Sequence, residues 1–159
     1  MKKIKTLDQL EKIVGILKNE GKTIVTTNGV FDILHVGHVR YLQEAKSTGD
    51  VLIVGLNSDE SVKKIKGPKR PIVPEEERLE MLTALDCVDY VFTFSETTPH
   101  TYLEVIKPHI HVKGGDYTPE RVIERTLLEK INAKLYLANN IQNKSTTNIV
   151  KKILDTHKD

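Results

Sequence analysis

The strongest constraint on the fold is a repeated pairing of a short apolar block with a stretch of helical spacing. VLIVGLN, residues 51–57, is the clearest block. A strand with one face in water alternates apolar and polar residues, whereas a strand covered on both faces reads as one apolar run. KTIVTTN (22–28), YVFTF (90–94), HIHVKGG (109–115) and KLYLAN (134–139) read as four further strands. Leu7, Leu10, Ile13, Val14 and Leu17 mark a helix before the first strand, and Gly21 can stop it. HVGHVRYLQEAKSTG predicts a helix closed near Gly49. SDESVKKIKGPKRPIVP begins as a short helix and breaks at Gly67-Pro68. PEEERLEMLTAL has Pro74 near its first position and three glutamates in its first turn, where the helix dipole favours them. TYLEVIKP, PERVIERTLLEKIN and STTNIVKKILD complete the helices. The order predicts an α/β fold: a doubly wound five-stranded parallel sheet between two helical layers, in three layers αβα. The 159 residues suit a single domain spanning 1–159, with 1–21 as an N-terminal helix packed on it.

In such sheets ligands bind beyond the carboxyl ends of the strands, where strand order reverses. The loops after the strands are therefore the informative ones. After strand one comes NGVFDILHVGH. Asn28-Gly29 permits a sharp exit, and Gly29 and Gly37 let a ligand approach the backbone. His35 and His38, at i and i+3 beside a helix start, place two imidazole donors where free N–H groups and the positive dipole end already favour phosphate. Such donors stabilise charge that develops in phosphoryl or nucleotidyl transfer. Zinc is the competing use of two histidines, but a catalytic zinc needs a third protein ligand, and Asp32 is the sole nearby acid. The expectation is that no protein metal site is present.

KKIKGPKR, residues 63–70, puts five cations into eight positions after strand two. Gly67 and Pro68 suggest a mobile loop that folds over a nucleotide. Arg78 is either a surface arginine paired with its neighbouring glutamates or a bidentate triphosphate ligand. Ser145, Thr146 and Thr147 stand at a helix start. One N-cap needs one hydroxyl, so three in a row after Lys144 read as a second phosphate site. Lys113-Gly114-Gly115-Asp116 either lies against a base or sugar or forms a tight turn.

Composition limits the partners. A net charge of +2 is too small for a nucleic-acid coat or a membrane-surface protein. Aromatics make up 5% of the chain, without tryptophan, so the stacking pattern of single-strand binders is missing. The lone cysteine, Cys87, excludes an intrachain disulfide and fits a reducing compartment. The N-terminus has no apolar signal region, and no apolar run approaches the ~20 residues of a membrane span. A cytoplasmic protein without nucleic-acid or membrane partners is expected.

Together, His35-Val36-Gly37-His38 after the first strand and Lys144-Ser145-Thr146-Thr147-Asn148-Ile149 near the end resemble the cytidylyltransferase-like nucleotidyltransferase family. TNGVFDILHVGHVRYL, VGLNSDESVKKIKGPKRPI, VKGGDY and STTNIVKKI are most similar to its ADP-heptose synthase branch, the adenylyltransferases of heptose 1-phosphate. The likeness runs from about residue 22 to residue 154, four segments in the same order. It implies a Rossmann-like nucleotidyltransferase fold and Mg²⁺-assisted transfer of AMP from ATP to a sugar 1-phosphate, with pyrophosphate leaving. It implies catalytic roles for His35, His38 and Lys66. Asn28, Gly29, Phe31, Gly37, Arg78, Gly115, Asp116, Ser145, Thr146 and Thr147 would hold the nucleotide. Asp32 and Lys63 would meet the sugar phosphate, or Asp32 would help place the metal. A homodimer and a sugar kinase on a separate chain are further implications. Relatives that use CTP and glycerol 3-phosphate carry an arginine shortly before the Ser-Thr-Thr segment. Here Gln142, Asn143 and Lys144 stand there, which turns the reading away from that alternative. FMN adenylylation, an oligonucleotide-binding protein using residues 63–70 and a catalytically dead nucleotide sensor are the other readings weighed.

Overall fold

A computed structural model of the chain describes residues 2–114, 117–139 and 145–157. Five strands form one parallel sheet: β1 (Ile24–Gly29), β2 (Val51–Asn57), β3 (Tyr90–Phe94), β4 (Ile110–Lys113) and β5 (Lys134–Leu137). Their spatial order is β3-β2-β1-β4-β5. β1 is therefore central. The chain winds outward through β2 and β3, crosses back, and continues on the other side of β1 through β4 and β5. The reversal lies between β1 and β4, where Val25, Thr26 and Thr27 pair with Ile110, His111 and Val112.

Period-two side chains on β2 feed two cores. Val51 and Ile53 enter one with Leu10 and Val14 of α1 (Leu7–Asn19) and Tyr102, Leu103 and Ile106 of α5 (His100–Ile106). Leu127 and Leu128 of α6 (Arg125–Lys130) belong to the same core. Leu52, Val54 and Leu56 enter the other with Leu42 and Ala45 of α2 (Val36–Ser47) and Leu82 of α4 (Glu75–Thr83). Every residue of β2 is buried, as its unbroken apolar sequence requires. The predicted three-layer doubly wound sheet is the fold observed.

α1 is capped by Thr6, whose hydroxyl accepts from Gln9 N while the Gln9 side chain accepts from Thr6 N. Residues 3–5 run beside the outer edge of β3 through Val91 N to Lys3 O and Lys5 N to Val91 O, both 3.0 Å. That covers an edge that would otherwise offer unpaired donors and acceptors. α3 (Asp59–Lys66) ends at Gly67, whose φ of +96° lies in the left-handed region that glycine occupies without a Cβ clash. α7 (Thr146–Thr156) closes the described chain.

One expected element differs. The single helix over 119–132 is instead a 3₁₀ turn, Pro119–Arg121, followed by α6 from Arg125. Val122 between them is extended, at φ −77° and ψ 109°. Val122 and Glu124 are buried while Ile123 is 66% exposed, so the turn between the two elements points the Glu124 side chain inward.

Candidate active site

A cavity of about 570 Å³ opens at the carboxyl end of the sheet over the β1/β4 reversal. It is the size of a small-ligand site. Its walls come from the β1–α2 connection, the end of β4 and the start of α7.

The first wall is contiguous in sequence. Phe31 has φ +46°, a conformation that costs an L-residue roughly 1–2 kcal/mol. Its buried ring lies on the Gly29 backbone, where a Cβ would come within 2.9 Å of Phe31 Cε2. The same ring meets His38 edge-on at 5.3 Å. His35 is the N-cap of α2, its Nδ1 accepting from Gly37 N at 3.1 Å. The His35 and His38 rings stack, with centroids 3.8 Å apart and planes 23° apart. Burial pushes the His38 pKa down to about 4. A neighbouring His35 charge adds to this, and Asp32 and the Ile33 backbone oppose it in part. At neutral pH His38 is an uncharged donor, and its buried Nδ1 has no hydrogen-bond partner among the described residues. A polar atom buried without a partner at a cavity wall is a place for a ligand to bond.

Loop 67–73 lies beside this wall, and Asp32 anchors it. Asp32 is 3% exposed, and its Oδ1 accepts from Ile72 N and Val73 N, both at 2.8 Å. Oδ2 is ion-paired with Arg70 Nε. Although Asp32 borders the cavity, its carboxylate is committed to tying down the loop rather than to a sugar phosphate or a metal. Lys66 and Arg70 line the cavity; Lys63 is exposed and outside the lining.

Arg78 requires a correction. It is 1% exposed and does not border the cavity. Its Nε donates to Val73 O at 2.9 Å, and Nη1 donates to Val30 O at 2.7 Å and Asn57 O at 2.9 Å. Nη2 pairs with Asp59 at 2.7 Å. The guanidinium fork joins the exits of β1 and β2 to loop 67–73, and in this structure it stands away from the cavity.

The second wall is assembled from distant segments. Lys113, the last residue of β4, lines the cavity and places Nζ 2.6 Å from Glu124 Oε1. The same nitrogen donates to Asn28 Oδ1 at 3.2 Å and stands 5.6 Å from the Tyr117 ring centroid. Glu124 is fully buried and also faces His111 Nε2 at 3.4 Å, while His111 Nδ1 bonds Thr26 Oγ1 at 2.8 Å. Burial alone would raise the Glu124 pKa, but the His111 bond and the Lys113 charge pull it down to about 2. Gly115 and Asp116, expected near the nucleoside, lie outside the described residues.

The third wall is the start of α7. Ser145 alone caps the helix, its Oγ accepting from Asn148 N at 3.1 Å. That leaves Thr146, which is buried, and Thr147 to line the cavity with no capping duty. Two helix N-termini, α2 and α7, and three lysine or arginine side chains thus border one cavity, which suits a polyanion. Sequence reasoning had placed most of the first and third walls. In sequence, Lys113 belongs to a segment that either lies against a base or sugar or forms a tight turn, and Glu124 falls inside the expected helix over 119–132. A charged residue amid Val122, Leu127 and Leu128 was the available signal for Glu124.

Among the described residues no three acids, histidines or cysteines are grouped to hold a metal. Mg²⁺ is commonly held by one or two carboxylates together with substrate phosphates. Both carboxylates of these walls are already paired, Asp32 with Arg70 and Glu124 with Lys113. The described residues therefore do not fit a Mg²⁺ ligand set, and no chemical step is routed through one.

The sequence signature of the Cytidylyltransferase-like family matches residues 26–153. The Bifunctional protein HldE of Geobacter metallireducens is 55% identical over 152 residues, covering 96% of this chain and 31% of that protein. The HldE protein of Aliarcobacter butzleri is 50% identical over 155 residues, covering 98% of this chain and 32% of its own. The chain spans about a third of the length of these curated relatives. The crystal structure of a lipopolysaccharide core biosynthesis protein from Thermoplasma volcanium is 33% identical, with a TM-score of 0.63. It covers 78% of this chain and 100% of its own. Pantoate-beta-alanine ligase from Francisella tularensis shares the fold alone, at 20% identity and a TM-score of 0.63 over 98% of this chain and 79% of its own. The chain belongs to the cytidylyltransferase-like family, the nucleotidyltransferases expected from its two motifs. No helix among the described residues is long and apolar enough to cross a membrane.

Proposed function

We propose that this nucleotidyltransferase joins the AMP part of ATP to a sugar 1-phosphate, with heptose 1-phosphate as the acceptor, giving ADP-sugar and pyrophosphate. The observation that carries the reading is the stacked His35–His38 pair at one helix N-terminus, bordering the same cavity as Thr146 and Thr147 at another. The likeness to HldE proteins directs the choice of acceptor.

An acceptor phosphate oxygen attacks the α-phosphorus, and the bond to the β-phosphate oxygen breaks as pyrophosphate departs. The acceptor is already an anion at neutral pH, so no general base is required. The protein supplies position and charge stabilisation. His35 and His38 donate to the reacting phosphates. Ser145, Thr146 and Thr147, at the start of α7, hold the far end of the triphosphate, and Lys66 reaches it from α3. Asn28, Gly29, Phe31 and Gly37 shape the floor, with Gly115 and Asp116 near the nucleoside. Any Mg²⁺ that accompanies ATP would be held by the triphosphate rather than by protein carboxylates and would supply charge neutralisation there. The reaction belongs in the cytoplasm, where ATP is made, and a sugar kinase supplies the acceptor. A second copy of the chain would cover Ile16 of α1 or Ile153 and Leu154 of α7, which are 61%, 52% and 60% exposed; light scattering on the purified protein tests this.

Pyrophosphate release in the presence of Mg²⁺ tests the chemistry. Release with ATP and heptose 1-phosphate is the expected result. A protein active only with CTP would keep the mechanism and overturn the substrates.

A further inference from the structure

A buried carboxylate, Glu124, borders the cavity beside Lys113, and the reaction as described makes no use of it. Lys113, Glu124, His111 and Thr26 form a chain of polar contacts that starts at the cavity. Lys113 Nζ is 2.6 Å from Glu124 Oε1, His111 Nε2 is 3.4 Å from the same oxygen, and Thr26 Oγ1 is 2.8 Å from His111 Nδ1. The Glu124 side chain is 0% exposed, and Lys113 retains 12% on the cavity side. A buried ion pair is a weak source of stability, because desolvation offsets most of the attraction. Both residues border the cavity, but the Lys113 side chain keeps 12% exposure there while the Glu124 side chain keeps none.

The pair also orients a neighbour. An ammonium has three donors. That of Lys113 is ion-paired with Glu124 at 2.6 Å and donates to Asn28 Oδ1 at 3.2 Å, and no further acceptor for it stands among the described residues. With its oxygen turned to Lys113, the Asn28 amide keeps its NH₂ group for the cavity that Asn28 lines. Two donors from adjacent strands, Lys113 of β4 and Asn28 of β1, then stand at the strand-order reversal. They border the same cavity as the histidine pair.

We propose that Lys113, with Asn28, contacts a phosphoryl oxygen of the bound nucleotide, and that Glu124 is the positioning residue that holds Lys113 there. The inference rests on the nucleotidyl-transfer reading. Glu124 acts through Lys113, so the two substitutions must be coupled.

The experiment uses the full chain and its Lys113→Met, Glu124→Gln and doubly substituted variants. MgATP affinity is read by calorimetry, pyrophosphate release by steady-state kinetics and folding by circular dichroism. Lys113→Met is expected to weaken MgATP binding about tenfold and lower kcat/KM about 100-fold, the scale of a lost charged donor at a reacting phosphate. The acceptor KM is expected to stay within about twofold, since the contact is to the nucleotide. Glu124→Gln is expected to lower kcat/KM about tenfold and to add nothing in the Lys113→Met background. Lys113→Gln replaces the methionine variant if that misfolds, and Lys113→Arg is expected to recover part of the loss. Unchanged MgATP affinity in folded Lys113 variants would overturn the proposal, as would losses that multiply in the double variant. The calorimetric arm needs no acceptor. If the wild-type chain binds MgATP but releases no pyrophosphate with any acceptor, the proposed reaction falls while the Lys113 contact is still decided.

Discussion

Two of the cavity's three walls are built in different ways. The β1–α2 wall is local: Asn28 to His38 is one short run, and its parts fit each other through the Gly29–Phe31 contact, the His35 cap and the histidine stack. The β4 wall is assembled at long range, with Lys113 reaching Asn28 across 85 positions and Glu124 arriving from a later segment. The local wall carries its chemistry in a motif. The distant wall carries it in an ion pair that exists only after folding. The proposed nucleotidyl transfer would draw on both.

Four experiments break or sharpen that comparison. The largest effect belongs to the local wall: His38→Ala is expected to lower kcat by about 10²–10³, as loss of one transition-state donor does elsewhere, with the circular dichroism spectrum unchanged. A rate within twofold of wild type would strip the histidine of its role. Next is Asp32→Asn. It keeps the shape but weakens the hold on Arg70, Ile72 N and Val73 N, so loop 67–73 should become cleavable by trypsin and the KM for ATP should rise about tenfold. A cleavage pattern like that of wild type would show that the loop is held by other contacts.

The third concerns protons. His38 titrates near 4 in the folded protein, against about 6.5 in an unfolded chain. Between those values the unfolded state binds more protons, so stability rises with pH across that window and falls on acidification from 6.5 towards 4. Tm measured against pH should therefore slope more gently in His38→Gln than in wild type; identical slopes would contradict the assignment. Triphosphate beside the ring favours its charged form, so MgATP binding near pH 6 should take up protons, visible as a buffer-dependent heat. The smallest contrast is between two lysines of α3. Lys66→Ala should raise the KM for ATP several-fold, whereas Lys63→Ala, outside the cavity, should change it by less than twofold. Equal effects from both would point to a diffuse field rather than a contact.

The sheet and most helices were legible because burial on both faces writes itself as apolar blocks, and VLIVGLN coincides with β2. The histidine pair was legible because a helix start after a buried strand has a local signature. Arg78 was not, since an arginine three residues after Glu75 reads the same whether it faces water or folds back onto Val30 O and Asn57 O. Glu124 was hidden by a false period. Val122, Leu127 and Leu128 fit a helix in sequence, but the chain is extended at Val122, and this turns Glu124 under β4. Residues 140–144, which include the Gln142-Asn143-Lys144 departure used against a CTP–glycerol reading, lie outside the described residues, so that argument rests on sequence alone.

The most direct test of the account is pyrophosphate release by the purified chain with Mg²⁺ and either ATP or CTP, each paired with heptose 1-phosphate or glycerol 3-phosphate. The account predicts release with ATP and heptose 1-phosphate and background rates in the other three pairings. Release with CTP and none with ATP would contradict it.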